Sequence, residues 1–311
     1  MVFANLEEIE HLTLEEKKRL LNPKNRFKLV KNLHRSNMML NPLNLKHLNR
    51  LDSLEADAVT LNLEDAIAPA RKKEALINIA LFLSHMQSTK SEIIIRVNPL
   101  EEGGREEIAF LKAYCFNAIR ISKVKREKEI DEVAALLGDE KKIHISLETK
   151  EAFQNLASWQ PREEFERANL GILDLLADLQ LPQSLLHLKN PTIEYILTKF
   201  LIDAKTIGVE AVSFMYQEYQ NLTEFRELLI WEKSLGYRSK ACMGPAQVTI
   251  ANEILASSAQ ELKRAVEIKE AFEANAQKAI NGFMHPKYGF IDEPIYKDAL
   301  NMLNGVEKDL L

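Results

Sequence analysis

The chain has 311 residues, a formal net charge of −5, and 46% apolar and 28% charged residues, which suits one large α/β barrel or two ordinary domains and excludes a disordered chain. Interspersed acids and bases leave no basic stripe for nucleic acid or an anionic membrane, and no apolar run nears the roughly 20 residues that cross a bilayer. Cys115 and Cys242 stand far apart, which excludes a disulfide framework and a zinc site and makes the cytoplasm the expected compartment.

Residues 1–34 read as a helical extension, because Thr13-Leu14-Glu15-Glu16 has the form of a capping box and apolar residues recur after it at helical spacing. Short apolar or β-branched runs then alternate with longer amphipathic stretches. The runs are Asn37–Leu40, Ala58–Leu63, Glu92–Asn98, Ala118–Lys123, Lys142–Glu148, Ala168–Asp174, Val209–Met215 and Ser239–Met243. Their starts lie about 20 to 40 residues apart, room for a strand, a loop and a crossover helix. Runs such as Ile93-Ile94-Ile95 are apolar on both faces, as expected of a parallel strand covered by helices. Eight such units over 35–255 predict an α/β fold, a (β/α)₈ TIM barrel, with an open doubly wound sheet as the alternative. No glycine-rich phosphate loop follows any run, so dinucleotide and P-loop readings lack their cradle. Ser258-Ala259-Gln260-Glu261 opens a helix to about Ala279; a loop with Gly282, Pro286 and Gly289 follows, and Pro294 suits the first turn of a last helix. Residues 256–311 therefore read as a C-terminal helical segment, expected at a subunit interface.

In such barrels functional side chains come from the C-terminal ends of the strands. There the sequence places Glu64 and Asp65 after run two, Arg96 in run three, Lys123 in run four, Glu148 in run five and Asp174 in run six. Carboxylates at the ends of neighbouring strands, about 5 Å apart, repel unless a cation or proton lies between them. A hard divalent ion, Mg²⁺ or Mn²⁺, with Glu148 and Asp174 as ligands answers that repulsion. The alternative is that each acid caps the following helix. A guanidinium inside an apolar strand needs a partner. Arg96 either pairs with Glu64 or Asp65 or clamps a carboxylate or enolate oxygen facing the metal, and both can hold. Glu64 reads as the acid that holds a water at the metal. His144 reads as a core histidine and Cys242 as packing, since no activating base is evident.

Taken in order, these segments resemble the citrate lyase β-subunit-like family of the HpcH/HpaI aldolase superfamily over roughly residues 35 to 300. The resemblance rests on Arg35-Ser36, Ala56-Asp57-Ala58-Val59, Leu63-Glu64-Asp65-Ala66, Arg96-Val97-Asn98-Pro99, Lys123-Val124, Glu148-Thr149 and Asp174-Leu175. Lys240-Ala241-Cys242, Pro245-x-Gln247 and Phe290-Ile291-Asp292-Glu293-Pro294 follow. It implies a barrel that forms homo-oligomers, trimers or hexamers, and binds Mg²⁺. It also implies a lyase or aldolase that makes or breaks a carbon–carbon bond beside a carbonyl through a metal-stabilised enolate. The substrate would be a small oxo-acid or a β-hydroxyacyl-CoA thioester such as malyl-CoA or citramalyl-CoA. By position, Glu148 and Asp174 would ligate the metal, Arg96 would bind the oxo-acid with Arg35 and Lys123 beside it, and Glu64 would assist. Asp292 would be the acid/base reaching in from an adjacent subunit, against a plain reading as the cap before Pro294. The chain departs from the family pattern at Asn62 (usually Asp), Ala152 (usually Gly), Ser213 (usually Asp), Gly244 (usually His) and in the strand-one loop Leu40-Asn41-Pro42-Leu43. Ala152 and that loop bear on coenzyme A recognition more than on the metal. A free-acid 4-hydroxy-2-oxo-acid aldolase and a catalytically weakened member serving in a complex are the other readings.

Overall fold

A computed structural model describes residues 1–138 and 141–304, so residues 305–311 of the expected C-terminal segment lie outside it. The chain divides into two compact units, Met1–Ile254 and Leu255–Leu311. In the first, eight parallel strands close into a ring in sequence order: β1 (Ser36–Leu40), β2 (Ala58–Asn62), β3 (Glu92–Val97), β4 (Ala118–Ile121), β5 (Lys142–Leu147), β6 (Phe165–Leu170), β7 (Glu210–Ser213) and β8 (Ser239–Cys242). β1 pairs with both β2 and β8, which removes the open-sheet alternative. The strands are buried along nearly their whole length, with one face on the barrel interior and the other under helices.

Among the described residues, eight α-helices lie between the strands and one follows β8, preceded by two short helices, α1 (Leu6–Glu10) and α2 (Leu14–Arg19). The others are α3 (Leu45–Leu48), α4 (Lys72–His85), α5 (Gly104–Leu111), α6 (Lys128–Leu137), α7 (Lys150–Asn155), α8 (Ile172–Asp178), α9 (Pro191–Thr206), α10 (Leu222–Leu235) and α11 (Pro245–Leu255). The predicted capping box forms: Thr13 and Glu16 exchange hydrogen bonds at the start of α2. The extension is helical only through Arg19, however, and residues 20–34 have no regular structure. What holds it is packing on α4, where the buried Lys17 ammonium donates to Asn78 Oδ1 at 3.0 Å.

Strand six differs from expectation. It begins at Phe165, three residues before the apolar run, and ends at Leu170, so Asp174 sits in the first turn of α8 rather than at a strand end. The register against β5 shifts between Ile143 and His144, and Glu166 is the extra residue on β6. Polar Glu166 and Arg167 hide the strand start from an apolar pattern.

The second unit is built around α12 (Ala259–Ala276), whose capping box joins Ser258 and Glu261 as predicted. The expected loop is instead an antiparallel hairpin, β9 (Gly282–His285) and β10 (Gly289–Asp292), followed by α13 (Glu293–Asn304). Gly289, at φ 74°, makes the reversal that a side chain would disfavour. Its small core holds Ala265, Ile268, Phe272, Ile291 and Ala299, with Phe272 stacked on Tyr296 at 4.4 Å. No described helix is long and apolar enough to cross a membrane.

Candidate active site at the C-terminal rim of the barrel

The site starts with a turn. After β2, Asn62 folds back so that its side-chain amide donates to the Asp65 carbonyl and its Oδ1 accepts from Glu64 N–H at 3.3 Å. This asparagine turn is what points Glu64 and Asp65 across the rim. Ala66 follows with φ 68°, and Lys123, after β4, is held at φ 51°. A left-handed non-glycine backbone costs of order 1–3 kcal/mol and persists where surroundings fix it. At Lys123 the fixing contacts are ion pairs to Glu64 at 3.0 Å and Asp65 at 3.6 Å.

Arg96 is the hub. Its Nε donates to Ser122 Oγ at 3.0 Å, and its Nη2 meets Glu64 at 2.7 Å, Glu148 at 2.8 Å and Asp65 at 3.6 Å. The ion pair expected with Glu64 or Asp65 is therefore present, and it extends to Glu148. Burial holds the Glu64 carboxyl above its ordinary range against the pull of Arg96. At Asp65 burial pushes the same way, but a hydrogen bond to Glu64 and the cations Arg96 and Lys123 outweigh it, so that carboxyl lies low. Burial opposes the charge on Lys123, yet its bond to Glu64 and the surrounding acids keep that ammonium well above its usual range.

Glu148, directly after β5, is buried, and its two oxygens differ. Oε1 accepts from Arg96, while Oε2 is buried without a hydrogen-bond partner among the described residues. Gly171 explains how it fits, since a Cβ there would stand 2.2 Å from Glu148 Cγ. Asp174 lies close enough that Glu148 and Asp65 both raise its pKa, after burial, which is the larger cause. Glu148, Asp174, Arg96, Asn62 and Asp65 line one cavity of about 440 Å³ at the barrel mouth, with Met39, Arg120, Asn169 and Phe214. Among the described residues no group of three or more His, Cys, Asp or Glu side chains could enclose a metal. The donors on offer are two carboxylates, one with an unpartnered buried oxygen, which fits an ion that takes the rest of its ligands from water and substrate.

The structure thus gathers Glu64, Arg96, Lys123, Glu148 and Asp174, and it places Arg35 apart from them. Arg35 precedes β1, at the opposite end of the barrel, where its Nε and Nη2 fork onto Asp57 at 2.9 Å each. That placement corrects its expected substrate contact, because residues at strand starts face away from the rim. Asp292 belongs to the C-terminal unit, at the end of β10, where its Oδ1 accepts Ile295 N–H at 3.3 Å as a helix cap. His144 is a fully buried core residue bonded to Glu166 at 3.2 Å, and burial pushes the Cys242 thiol up to about 12, as inert packing requires. Ser213 faces the same layer as Lys240 in register, and the buried Lys240 ammonium finds its acid on α10 instead, at Glu232, 2.7 Å away. Gly244 leaves room for Tyr219, whose ring would lie 2.8 Å from a Cβ there, and Ala152 is buried in the first turn of α7.

A charged residue of the cavity also escaped the sequence reading. Arg120, in the middle of β4, is in register with Arg96 and points into the same interior. The signal was available, since a guanidinium inside an apolar run is the same anomaly that drew attention to Arg96.

A parallel (β/α)₈ barrel whose strand ends bring two carboxylates and a guanidinium to one cavity defines an acid- and cation-lined rim site on an α/β barrel. The chain belongs to the HpcH/HpaI aldolase/citrate lyase family, which matches residues 35–245. It is 28% identical over 228 residues to a (3S)-malyl-CoA thioesterase of Cereibacter sphaeroides, covering 73% of this chain and 78% of that one. It is 24% identical to the mitochondrial citramalyl-CoA lyase of Homo sapiens, covering 82% and 80% respectively. Among solved structures, the protein CitE from Mycobacterium tuberculosis, in complex with magnesium, acetoacetate and coenzyme A, shares the fold. The TM-score is 0.66 at 17% identity, over 87% of this chain and 97% of that one.

Proposed function

We propose that the chain is a Mg²⁺-dependent carbon–carbon lyase of the aldolase type, acting on a small oxo-acid or its β-hydroxyacyl-CoA thioester. Glu148 carries the reading: one oxygen is fixed by Arg96 and the other is buried and unpartnered beside the Asp174 carboxylate. Glu148 and Asp174 would hold the ion, and Mg²⁺ or Mn²⁺ would supply Lewis acidity at the reacting carbonyl. Arg96, anchored through Ser122, orients the oxo-acid and lowers the energy of negative charge on its enolate oxygen. Glu64 pairs with that guanidinium and would hold a water at the ion, while Lys123, paired with Glu64, would face the substrate. Asp292 is the proposed acid/base that passes the proton to and from the enolate carbon, in a homo-oligomer whose copies complete each other's sites. The magnesium and coenzyme A of the tuberculosis protein, and the CoA-ester names of the relatives, support this substrate class.

Calorimetric titration of the chelated protein with Mg²⁺ tests it, comparing wild type with Glu148→Ala/Asp174→Ala, alone and with pyruvate, glyoxylate or acetyl-CoA. The expected result is binding that tightens with an oxo-acid and vanishes in the double variant. No binding under any condition sinks the lyase reading and leaves a catalytically weakened family member serving in a complex.

A further inference from the structure

Arg96 and Arg120 are register partners on adjacent strands and are built alike. Each donates its Nε to a serine two residues further up the next strand, Arg96 to Ser122 at 3.0 Å and Arg120 to Ser146 at 2.8 Å. Both therefore lean toward the same end of the barrel, and both line the 440 Å³ cavity. They differ in what answers their charge. Arg96 faces Glu64 and Glu148 within 2.8 Å, whereas no carboxylate among the described residues lies within ion-pairing distance of Arg120. Yet Arg120 is as deeply buried as Arg96, at 5% exposure against 6%.

A buried cation without a counter-charge is strongly destabilising, so a protein keeps one where something else supplies the anion. Burial and the Arg96 cation pull the Arg120 pKa to about 9, which still leaves it charged at neutral pH. The acids of the same wall are engaged elsewhere: Glu148 pairs with Arg96, and Asp65 with Arg96 and Lys123. Glu148 and Glu64 favour the Arg120 charge only from beyond ion-pairing distance. We propose that Arg120 is a second anion seat inside the barrel, which takes the distal carboxylate of a dicarboxylic oxo-acid and sets specificity for it. The inference rests on the lyase reading above, in which Arg96 and the two rim acids engage the oxo-acid end of the same molecule. A bidentate guanidinium–carboxylate contact gives it both affinity and direction.

The test compares diacids with monoacids of equal chain length by calorimetry in Mg²⁺: oxaloacetate with 2-oxobutyrate, and 2-oxoglutarate with 2-oxopentanoate. Wild type is expected to bind one of the diacids about 10- to 100-fold more tightly than its matched monoacid. Arg120→Met is expected to bring that ratio within about threefold, whatever common change it makes in both affinities, and Arg120→Lys to keep part of it. Because the wild-type ratio is itself decisive, a variant that fails to fold does not rescue the idea. Equal binding of matched acids by wild type, or a preference that survives in Arg120→Met, overturns the anion seat and leaves the lyase reading standing. Failure of every oxo-acid to bind overturns both. A diacid preference that persists in chelator and disappears in Arg120→Met keeps the seat and removes the metal from the reading.

Discussion

Both ends of the barrel bury charge, and they differ in how that charge is answered. At the N-terminal end Arg35 forks onto Asp57, Arg167 meets Glu92 at 3.1 Å and Glu166 at 3.2 Å, and His144 reaches Glu166. Some individual atoms there lack a hydrogen bond, Arg167 Nε and His144 Nδ1 among them, but each charged group faces an opposite one. At the C-terminal rim Arg96, Lys123, Glu64 and Glu148 pair as well, but the match is incomplete. Glu148 Oε2 has no hydrogen-bond partner, and neither the Asp174 carboxylate nor the Arg120 guanidinium has an ion pair within 4.0 Å among the described residues, although opposite charges act on both from further off. Matched charge holds a barrel together, while unmatched charge faces reactants, in line with the division of labour between the two faces of this fold.

Removing one member of the matched network should have the largest effect. Arg167→Met leaves Glu92 buried without its guanidinium and is expected to lower the unfolding free energy by about 3–5 kcal/mol, measured by urea denaturation. Mg²⁺ affinity of the folded fraction should stay within about twofold; a parallel loss of metal binding would erase the contrast between the ends.

Acid should attack the same end next. Burial pulls the His144 pKa from 6.5 down to about 4, so the unfolded chain takes up the proton before the folded one does. The contribution of this histidine is intact above pH 6.5 and drains away as the pH falls from 6.5 to 4, by about 3 kcal/mol at full extent. Urea midpoints at pH 7, 5.5 and 4 measure it, and His144→Gln should flatten the dependence. Glu166, whose carboxyl is held low by the bond to His144 and by Arg167, against burial, extends the loss to lower pH.

The smallest effect sharpens the other side of the comparison. Asp174 is raised by burial and by like charge from Glu148 and Asp65, so its ionisation works against the metal-free fold at neutral pH. Solvent screens much of that, and Asp174→Asn should raise the metal-free Tm by only about 1–2 °C while abolishing any Tm gain from Mg²⁺. A fall in Tm instead would identify Asp174 as a helix cap.

Much of this was legible in the sequence. Eight apolar runs gave the barrel, because parallel strands covered on both faces leave unbroken Val, Ile and Leu stretches such as Ile93-Ile94-Ile95. The Arg96–Glu64 pair followed from the cost of an unpartnered guanidinium. What stayed hidden was polar or short. Glu166 and Arg167 masked the start of β6 because their burial depends on partners from His34, Glu92 and β5 that no local pattern encodes. The hairpin at 282–292 read as a loop because its glycines and proline outweigh the apolar Phe283 and Ile291, which are held by α12 and α13. Arg35 was misplaced although it precedes the run Asn37–Leu40, because the resemblance and not its place at a strand start suggested the substrate contact.

The ion pair of Lys240 with Glu232 bears on how the ring closes. Both side chains are fully buried, and Lys240 also lies over the Phe214 ring at 4.1 Å, sealed between β8 and α10. β8 is the strand that completes the circle by pairing with β1 some two hundred positions earlier in the chain. With α10 undocked Lys240 would face water, and docking of that helix desolvates the ammonium and its acid together. Losing either partner alone would leave the other sealed beneath α10 without a counter-charge, so the strand that closes the ring and the helix that covers it are constrained to change together.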